Sequence, residues 1–178
     1  MKCPDAINIE DLRRIARRKL PRFVFTYVDG GAEDEITLRG NREAFARLHF
    51  RPRTLVDVST RDLSTQLLGK RSALPIVVGP TGLNGLSWRE GDMELARVAS
   101  RAGVPFAMST VSMSFVEDIA REAPGRLWLQ AYVFSERRIT DALIRRALDA
   151  GFEGLILTSD FPVAGKRERD WRTGLLPK

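Results

Sequence analysis

What this sequence has least of narrows it first. Cys3 is the only cysteine and His49 the only histidine among 178 residues. One cysteine excludes an intrachain disulfide, and one of each leaves no cysteine/histidine cluster to hold a metal. No run approaches the ~18 apolar residues that a membrane span requires. The N-terminus runs into charge at Asp5 and Glu10 rather than into an apolar stretch, so no secretory signal is expected and a cytoplasmic address is the default. Glycine is present, but not as G-x-G-x-x-G after the first strand: Gly82-Leu-Asn-Gly85-Leu does not fit, which excludes an ordinary dinucleotide fingerprint. A P-loop is missing too.

What remains is the composition of a globular protein, 43% hydrophobic and 29% charged, without a low-complexity tract. The length suits one domain of about 100–150 residues or slightly more. The formal charge of +6 could mark a nucleic-acid or anionic-membrane partner. Its carriers, however, are spread along the chain (Arg13, Arg14, Arg17, Arg18, Lys19, later Arg137, Arg138, Arg145, Arg146) and sit beside apolar residues at helical spacing. That is how solvated helix faces look. No aromatic–basic interleaving is present, so no nucleic-acid partner is expected.

Residues 1–74 read as a helical and hairpin cap region. Ile9, Leu12, Ala16 and Leu20 recur at three- and four-residue steps behind Asn8, an N-cap type. Pro21 interrupts that helix. A second helix spans Phe23 to Val28 and a third runs from Glu33 to Leu48. LVDVS (55–59) and DLSTQLLG (62–69) suggest short strands of a hairpin.

From Pro75 a regular alternation begins. Buried strands are expected at PIVVGP (75–80), PFAMST (105–110), RLWLQAYV (126–133) and GLILTSD (154–160). Helices are expected over Gly91–Ala102, from Ser114 to Ala123 behind a Ser114…Glu117 capping box, and over Glu136–Ala150. Apolar strand bodies between helices indicate a parallel sheet. Polar residues collect at the strand ends, at Thr81, Ser109-Thr110, Gln130 with Tyr132, and Thr158 with Asp160. Both β/α barrels and doubly wound sheets place ligands at that end, and periodicity does not choose between them. His49, between Leu48 and Phe50, reads as structural.

Five separated blocks then become specific: FTYVDGGAEDEITLRGNREAF (25–45), RPRTLVDVS (51–59), LPIVVGPTGLNGL (74–86), LQAYV (129–133) and LTSDFPVAGKRERD (157–170). In order and spacing they resemble the FMN-dependent α-hydroxy-acid oxidases and dehydrogenases, with GGAEDE, GPTGLNGL and RERD closest to the mandelate and L-lactate dehydrogenase branch. The resemblance covers Ile9 to Lys178. It implies an α/β fold in which N-terminal helices precede the first half, about four βα units, of a TIM (β/α)8 barrel occupying 75–178. It implies FMN as cofactor and oxidation of a small L-2-hydroxy acid to the 2-oxo acid. Pro80, Thr81 and Gly82 would lie under the flavin, and Ser109, Gln130 and Thr158 would bond its polar rim. Tyr27 and Tyr132 would reach the substrate, Tyr132 as the catalytic residue of this half, and Arg167 would approach the substrate carboxylate.

Each assignment has a plainer alternative. Ser109, Gln130 and Thr158 could satisfy strand-end backbone groups, Tyr27 could be helix packing, and Arg167 could be solvated beside Lys166 and Arg169. Gly82 stands where the family's oxidases often carry alanine, which favours the dehydrogenase branch. The resemblance also implies a histidine base, a carboxylate-clamping arginine, a lysine near the flavin and a phosphate site in the other half of the barrel. None of these matches residues 1–178, so the isolated chain is expected to be inactive and to self-associate through open strand edges, pairing with a complementing half or with copies of itself. Two other readings are a flavin-dependent isomerase barrel, which would leave the two tyrosines without a task, and a non-catalytic remnant that binds a partner chain.

Overall fold

The structure, a computed structural model, describes residues 6–160 and 163–174. They group into two compact units, one formed by the chain up to Val56 together with the residues from Val163 on, the other running from Asp57 to Pro162.

The first unit is helical. Asn8 caps α1 (Ile9–Lys19), its side-chain oxygen accepting from the Asp11 amide at 2.8 Å. Pro21 stands at the N-cap of α2 (Arg22–Asp29), so the proline ends one helix and begins the next. α3 (Ile36–Ala46) starts later and ends earlier than its apolar spacing suggested, because Glu33 and Glu35 sit in the left-handed region at φ 49° and 57°. Residues Glu168–Thr173 form a turn and a half of helix that apolar spacing does not indicate, and it packs on α2. Ion pairs join these helices. Arg13 binds Asp29, and Arg169 bridges Asp29 and Glu35 at 3.0 Å each. Arg13 first, and Arg169 with it, hold the Asp29 carboxyl below the ordinary aspartate range against the opposing effect of burial. The Gly31 amide, then Arg169, lower that of Glu35.

The second unit opens with an antiparallel hairpin, β1 (Thr65–Leu67) and β2 (Lys70–Ser72). The stretch 55–59 forms no strand. There follow α4 (Asn84–Ser87), α5 (Gly91–Ala102), β3 (Phe106–Met108), α6 (Val116–Glu122), β4 (Leu127–Ala131), α7 (Arg137–Asp149) and β5 (Gly154–Leu157). β3, β4 and β5 pair in parallel in that order. The expected first strand at 75–80 is reduced to one parallel bridge, Val78 to Phe106: the Val78 amide donates to Pro105 O and its carbonyl accepts from Ala107 N, both at 2.9 Å. Pro75 and Pro80 bound the segment and cannot donate, which limits the ladder there.

The core lies between the sheet and its helices. Phe106 and Met108 of β3 and Leu127 and Leu129 of β4 meet Ala96 and Ala99 of α5, Ile119 of α6 and Ala147 of α7. Side chains alternate across a strand, so Ala107, Trp128 and Gln130 are buried on the opposite face. On β5, Leu155 and Leu157 stay 52% and 56% exposed, with no helix after β5 among the described residues of this unit to cover them. The Ser114 capping box does not form. Phe115 takes the N-cap position of α6 without a side-chain bond, and the Ser114 amide turns to Ser112 Oγ at 3.1 Å. α6 is instead tied to α7 by a two-pronged Arg146–Glu117 pair, at 2.7 and 2.8 Å, which pulls the Glu117 carboxyl down to about 2.

The hairpin is fastened to the N-terminal end of the sheet. Arg126, just before β4, donates to Leu67 O at 2.6 Å and Lys70 O at 3.1 Å, and pairs with Glu153, just before β5, at 2.6 Å. Its guanidinium stacks over Trp128, 5.7 Å from the ring centre. Burial alone would raise the Glu153 carboxyl, but Lys70, Arg126 and Trp128 Nε1 outweigh it and the net effect is a lowered value. The stabilisation from Glu153 is therefore complete above the unfolded glutamate value near ~4.3 and disappears as pH falls through the lower folded value. Replacing a charged hydrogen-bond partner of this kind costs about 1.5–3 kcal/mol. Glu153→Gln should accordingly lower the urea midpoint at neutral pH, and the gap to wild type should close on acidification below about pH 4.

Candidate functional site

The C-terminal end of the sheet carries its polar residues, and three of the residues singled out from sequence meet there. Ser109 follows β3, Gln130 is in β4, and Thr158 follows β5. Gln130 is only 4% exposed. Its Oε1 accepts from Ser109 Oγ at 3.2 Å and from the Thr110 amide at 3.1 Å, and its Nε2 donates to Thr158 Oγ1 at 2.9 Å. A neutral ladder thus runs across three strand ends. Thr110, noted in the sequence only as polar, ties the ladder to the backbone. Its hydroxyl donates to Gln130 O at 2.6 Å and accepts from the Tyr132 amide at 3.2 Å. A threonine next to a serine at a strand end gives no separate signal, since either could be the one turned inward.

The loop after the Val78 bridge lies against the same end. Pro80 and Thr81 are exposed and Gly82 is half-buried. A Cβ on Gly82 would stand 2.5 Å from Val111 Cγ2 and 3.8 Å from Ser109 Oγ, so a larger residue at 82 would have to displace the Val111 side chain. The Leu83 amide then donates to Val111 O at 3.2 Å. Pro80, Thr81 and Gly82 are therefore brought alongside Ser109, Gln130 and Thr158, all within one unit. Tyr132 leaves the end of β4 beside them and is half-buried.

Tyr27 and Arg167 belong to the helical unit and meet there. The Arg167 guanidinium lies 5.1 Å from the Tyr27 ring centre and donates through Nη2 to Tyr27 O at 2.5 Å, while its Nε binds Asp170. Arg167 is thus partly committed, with Nη1 making none of the described side-chain bonds. Asp170, fully buried, keeps one oxygen, Oδ1, without a partner.

The ladder fits a planar heterocycle with carbonyl oxygens on its edge. Thr158 Oγ1 accepts from Gln130, which leaves its own O–H to donate outward. Gln130 Nε2 has a second N–H outside the described bonds. Two donors at neighbouring strand ends, beside the exposed Thr81 and the half-buried Gly82, would suit the pyrimidine edge and the flat face of a flavin. No cluster of histidine, cysteine, aspartate and glutamate capable of holding a metal occurs among the described residues. No described helix is long and apolar enough to cross a membrane.

A family model described as FMN-dependent dehydrogenase matches residues 16–178. The chain belongs to this family. Within the FMN-dependent dehydrogenases, it is 47% identical over 163 residues to (S)-mandelate dehydrogenase of Pseudomonas putida, covering 92% of this chain and 41% of that one. It is 43% identical over 171 residues to a putative L-lactate dehydrogenase of Mycobacterium tuberculosis, covering 96% and 41%. Glycolate oxidase 5 of Oryza sativa subsp. japonica is 43% identical over 163 residues, with 92% and 44% covered. Among solved structures, the monotopic membrane protein (S)-mandelate dehydrogenase superposes with a TM-score of 0.91 at 45% identity, over 97% of this chain and 46% of that one. The chain thus spans less than half the length of the curated relatives it matches, and its parallel βα units are the first part of a TIM barrel. The choice between barrel and doubly wound sheet, open on periodicity alone, falls to the barrel.

Gln130→Leu keeps the bulk and removes both ends of the ladder. The half-buried Thr110 amide loses an acceptor, which costs about 0.5–1.5 kcal/mol. Chemical denaturation should show that loss, whereas Thr158→Val, at the half-buried outer end, should change stability by less.

Proposed function

We propose that this chain forms the flavin-side half of an enzyme that oxidises an L-2-hydroxy acid, of lactate or mandelate type, to the 2-oxo acid. The observation that carries this reading is the Ser109–Gln130–Thr158 ladder, with donors to spare, beside the bare backbone of Gly82. FMN would supply the acceptor for the two electrons released when the α-hydrogen and the hydroxyl proton leave. Pro80, Thr81 and Gly82 would lie along the ring, and Ser109, Gln130 and Thr158 along its polar rim. Tyr132, at the end of β4, would face the substrate hydroxyl as the catalytic group of this half. Tyr27 would reach the same substrate, and Arg167 would offer its Nη1 edge to the carboxylate. The relatives' names, dehydrogenase and oxidase of mandelate, lactate and glycolate, support the substrate class.

The chain's one histidine, His49, is exposed in a stretch without regular structure after α3. In this reading the general base comes from residues outside 1–178. Gly82, where oxidases of the family often carry alanine, favours an acceptor other than dioxygen; rapid turnover of the complete enzyme with dioxygen alone would reverse that. Peripheral membrane association of the complete protein, as for the monotopic mandelate dehydrogenase, belongs to the same reading, as does a cytoplasmic address. A second reading, one half of a split enzyme or a non-catalytic remnant, would use the exposed Leu155 and Leu157 of β5 to bind a complementing chain.

The test is a visible spectrum of the purified chain after FMN is added and the excess removed. A retained flavin band that Gln130→Leu weakens supports the ladder as cofactor site. A colourless protein, or a band indifferent to that substitution, favours the binding-only role. The isolated chain should not oxidise L-lactate or (S)-mandelate, and measurable turnover would place the base within these residues after all.

A further inference from the structure

Asp92, the second residue of α5, is 1% exposed and serves no residue of its own helix. Glu90 holds the N-cap position and makes no side-chain cap bond. Every described bond of the Asp92 carboxyl leaves α5, for the start of α4 and for the loop after β3. Oδ1 accepts from Asn84 Nδ2 at 2.7 Å, while Oδ2 accepts from Ser112 Oγ at 2.7 Å and from the Met113 amide at 3.3 Å. Asn84 Nδ2 spends its other hydrogen on Thr81 O at 3.0 Å. One carboxyl group is thereby linked to the loop of Thr81 and Gly82 through a single amide, and directly to the loop that follows Ser109 and Thr110.

The backbone is shaped to permit this. A Cβ on Gly91 would stand 3.0 Å from Asn84 O and 3.1 Å from Asn84 Cβ, so glycine lets the start of α5 press directly on the Asn84 turn. That turn is entered and left through left-handed residues, Leu83 at φ 59° and Glu90 at φ 56°. Neither residue favours that region unaided, so the surroundings hold them there. Apolar packing would tolerate sliding of the loops; hydrogen bonds with both oxygens of one buried carboxyl do not, because a small displacement loses a buried partner.

We propose that Asp92 is a positioning residue that sets the register of the 81–84 loop against the 110–113 loop, acting through Asn84 on one side and Ser112 on the other. That these loops face a flavin rests on the function proposed above; the coupling between them does not. Ser109 and Thr110 would keep their ladder to Gln130 without Asp92, but the ring-facing backbone at 81–82 would lose its fixed distance from them.

Native-state hydrogen exchange of the chain without FMN, read by mass spectrometry, tests the coupling. Asp92→Ala should speed exchange at least tenfold in peptides covering 81–86 and 110–115, where the Leu83 and Met113 amides report directly. Peptides within 104–108 and 127–131 should exchange as in wild type. Asn84→Ala should release 81–86 most, since Ser112 and Met113 keep their acceptor. Wild-type exchange in both loops, or acceleration spread evenly through the sheet, would overturn the proposal. If Asp92→Ala does not fold, the Asn84→Ala pattern decides in the same terms. A second readout uses FMN: where the wild-type chain retains it, Asp92→Asn should reduce the visible circular dichroism of the bound flavin, because one carboxamide oxygen cannot serve both loops. A wild-type chain that retains no FMN counts against the proposed function and leaves the exchange result to judge this one.

Discussion

An amide side chain buried at the end of a central strand must find partners for both its oxygen and its nitrogen, or lose the hydration of each without return. Gln130 is in that position, and its neighbours are arranged around the requirement. Ser109 and the Thr110 amide answer the oxygen and Thr158 answers the nitrogen, so the ends of β3, β4 and β5 are aligned by a side chain as well as by their ladders. The parallel pairing sets the strands in register, and the glutamine makes that register specific at the end where the loops begin.

Much of this was legible in the sequence, for a definite reason. α1, α5 and α7 carry apolar residues at helical spacing, and Asn8 caps α1 as its chemistry suggests. The strands announce themselves as apolar runs, and a polar residue at the close of such a run has few places to go but the functional end of the sheet. Where reading failed, a local rule met a stronger one. The segment 75–80 has strand composition, yet its prolines leave little to pair with, and only Val78 bonds. Ser114 and Glu117 have capping-box spacing, but the Ser114 amide is already taken by Ser112 and Phe115 becomes the cap. The helix over Glu168–Thr173 has no apolar period to detect. It is held by charge, with Arg167 on Asp170 and Arg172 on Glu168.

Asp92 escaped notice because it looks ordinary. An acidic residue in the first turn of a helix is explained well enough by the helix dipole. Its bonds nevertheless leave the helix, for Asn84, Ser112 and Met113. The positive charge of the chain reads similarly in retrospect. Many of its arginines are bound to carboxylates, as in the Arg13–Asp29–Arg169–Glu35 chain and the Arg146–Glu117 pair, and they hold helices together rather than form a single basic face.

The fastening of the hairpin by Arg126 and Glu153 has a consequence for how such a protein can change over generations. It places the main charged anchor of the second unit before the strands begin, while the ladder and its loops come after the strands end. Drift in the residues around the loops therefore leaves the anchor in place to carry the fold through intermediate sequences. The freedom is not complete, because the two loops answer to one carboxyl group. Substitutions in 81–84 and in 110–113 will be epistatic, each tolerated or not according to the other.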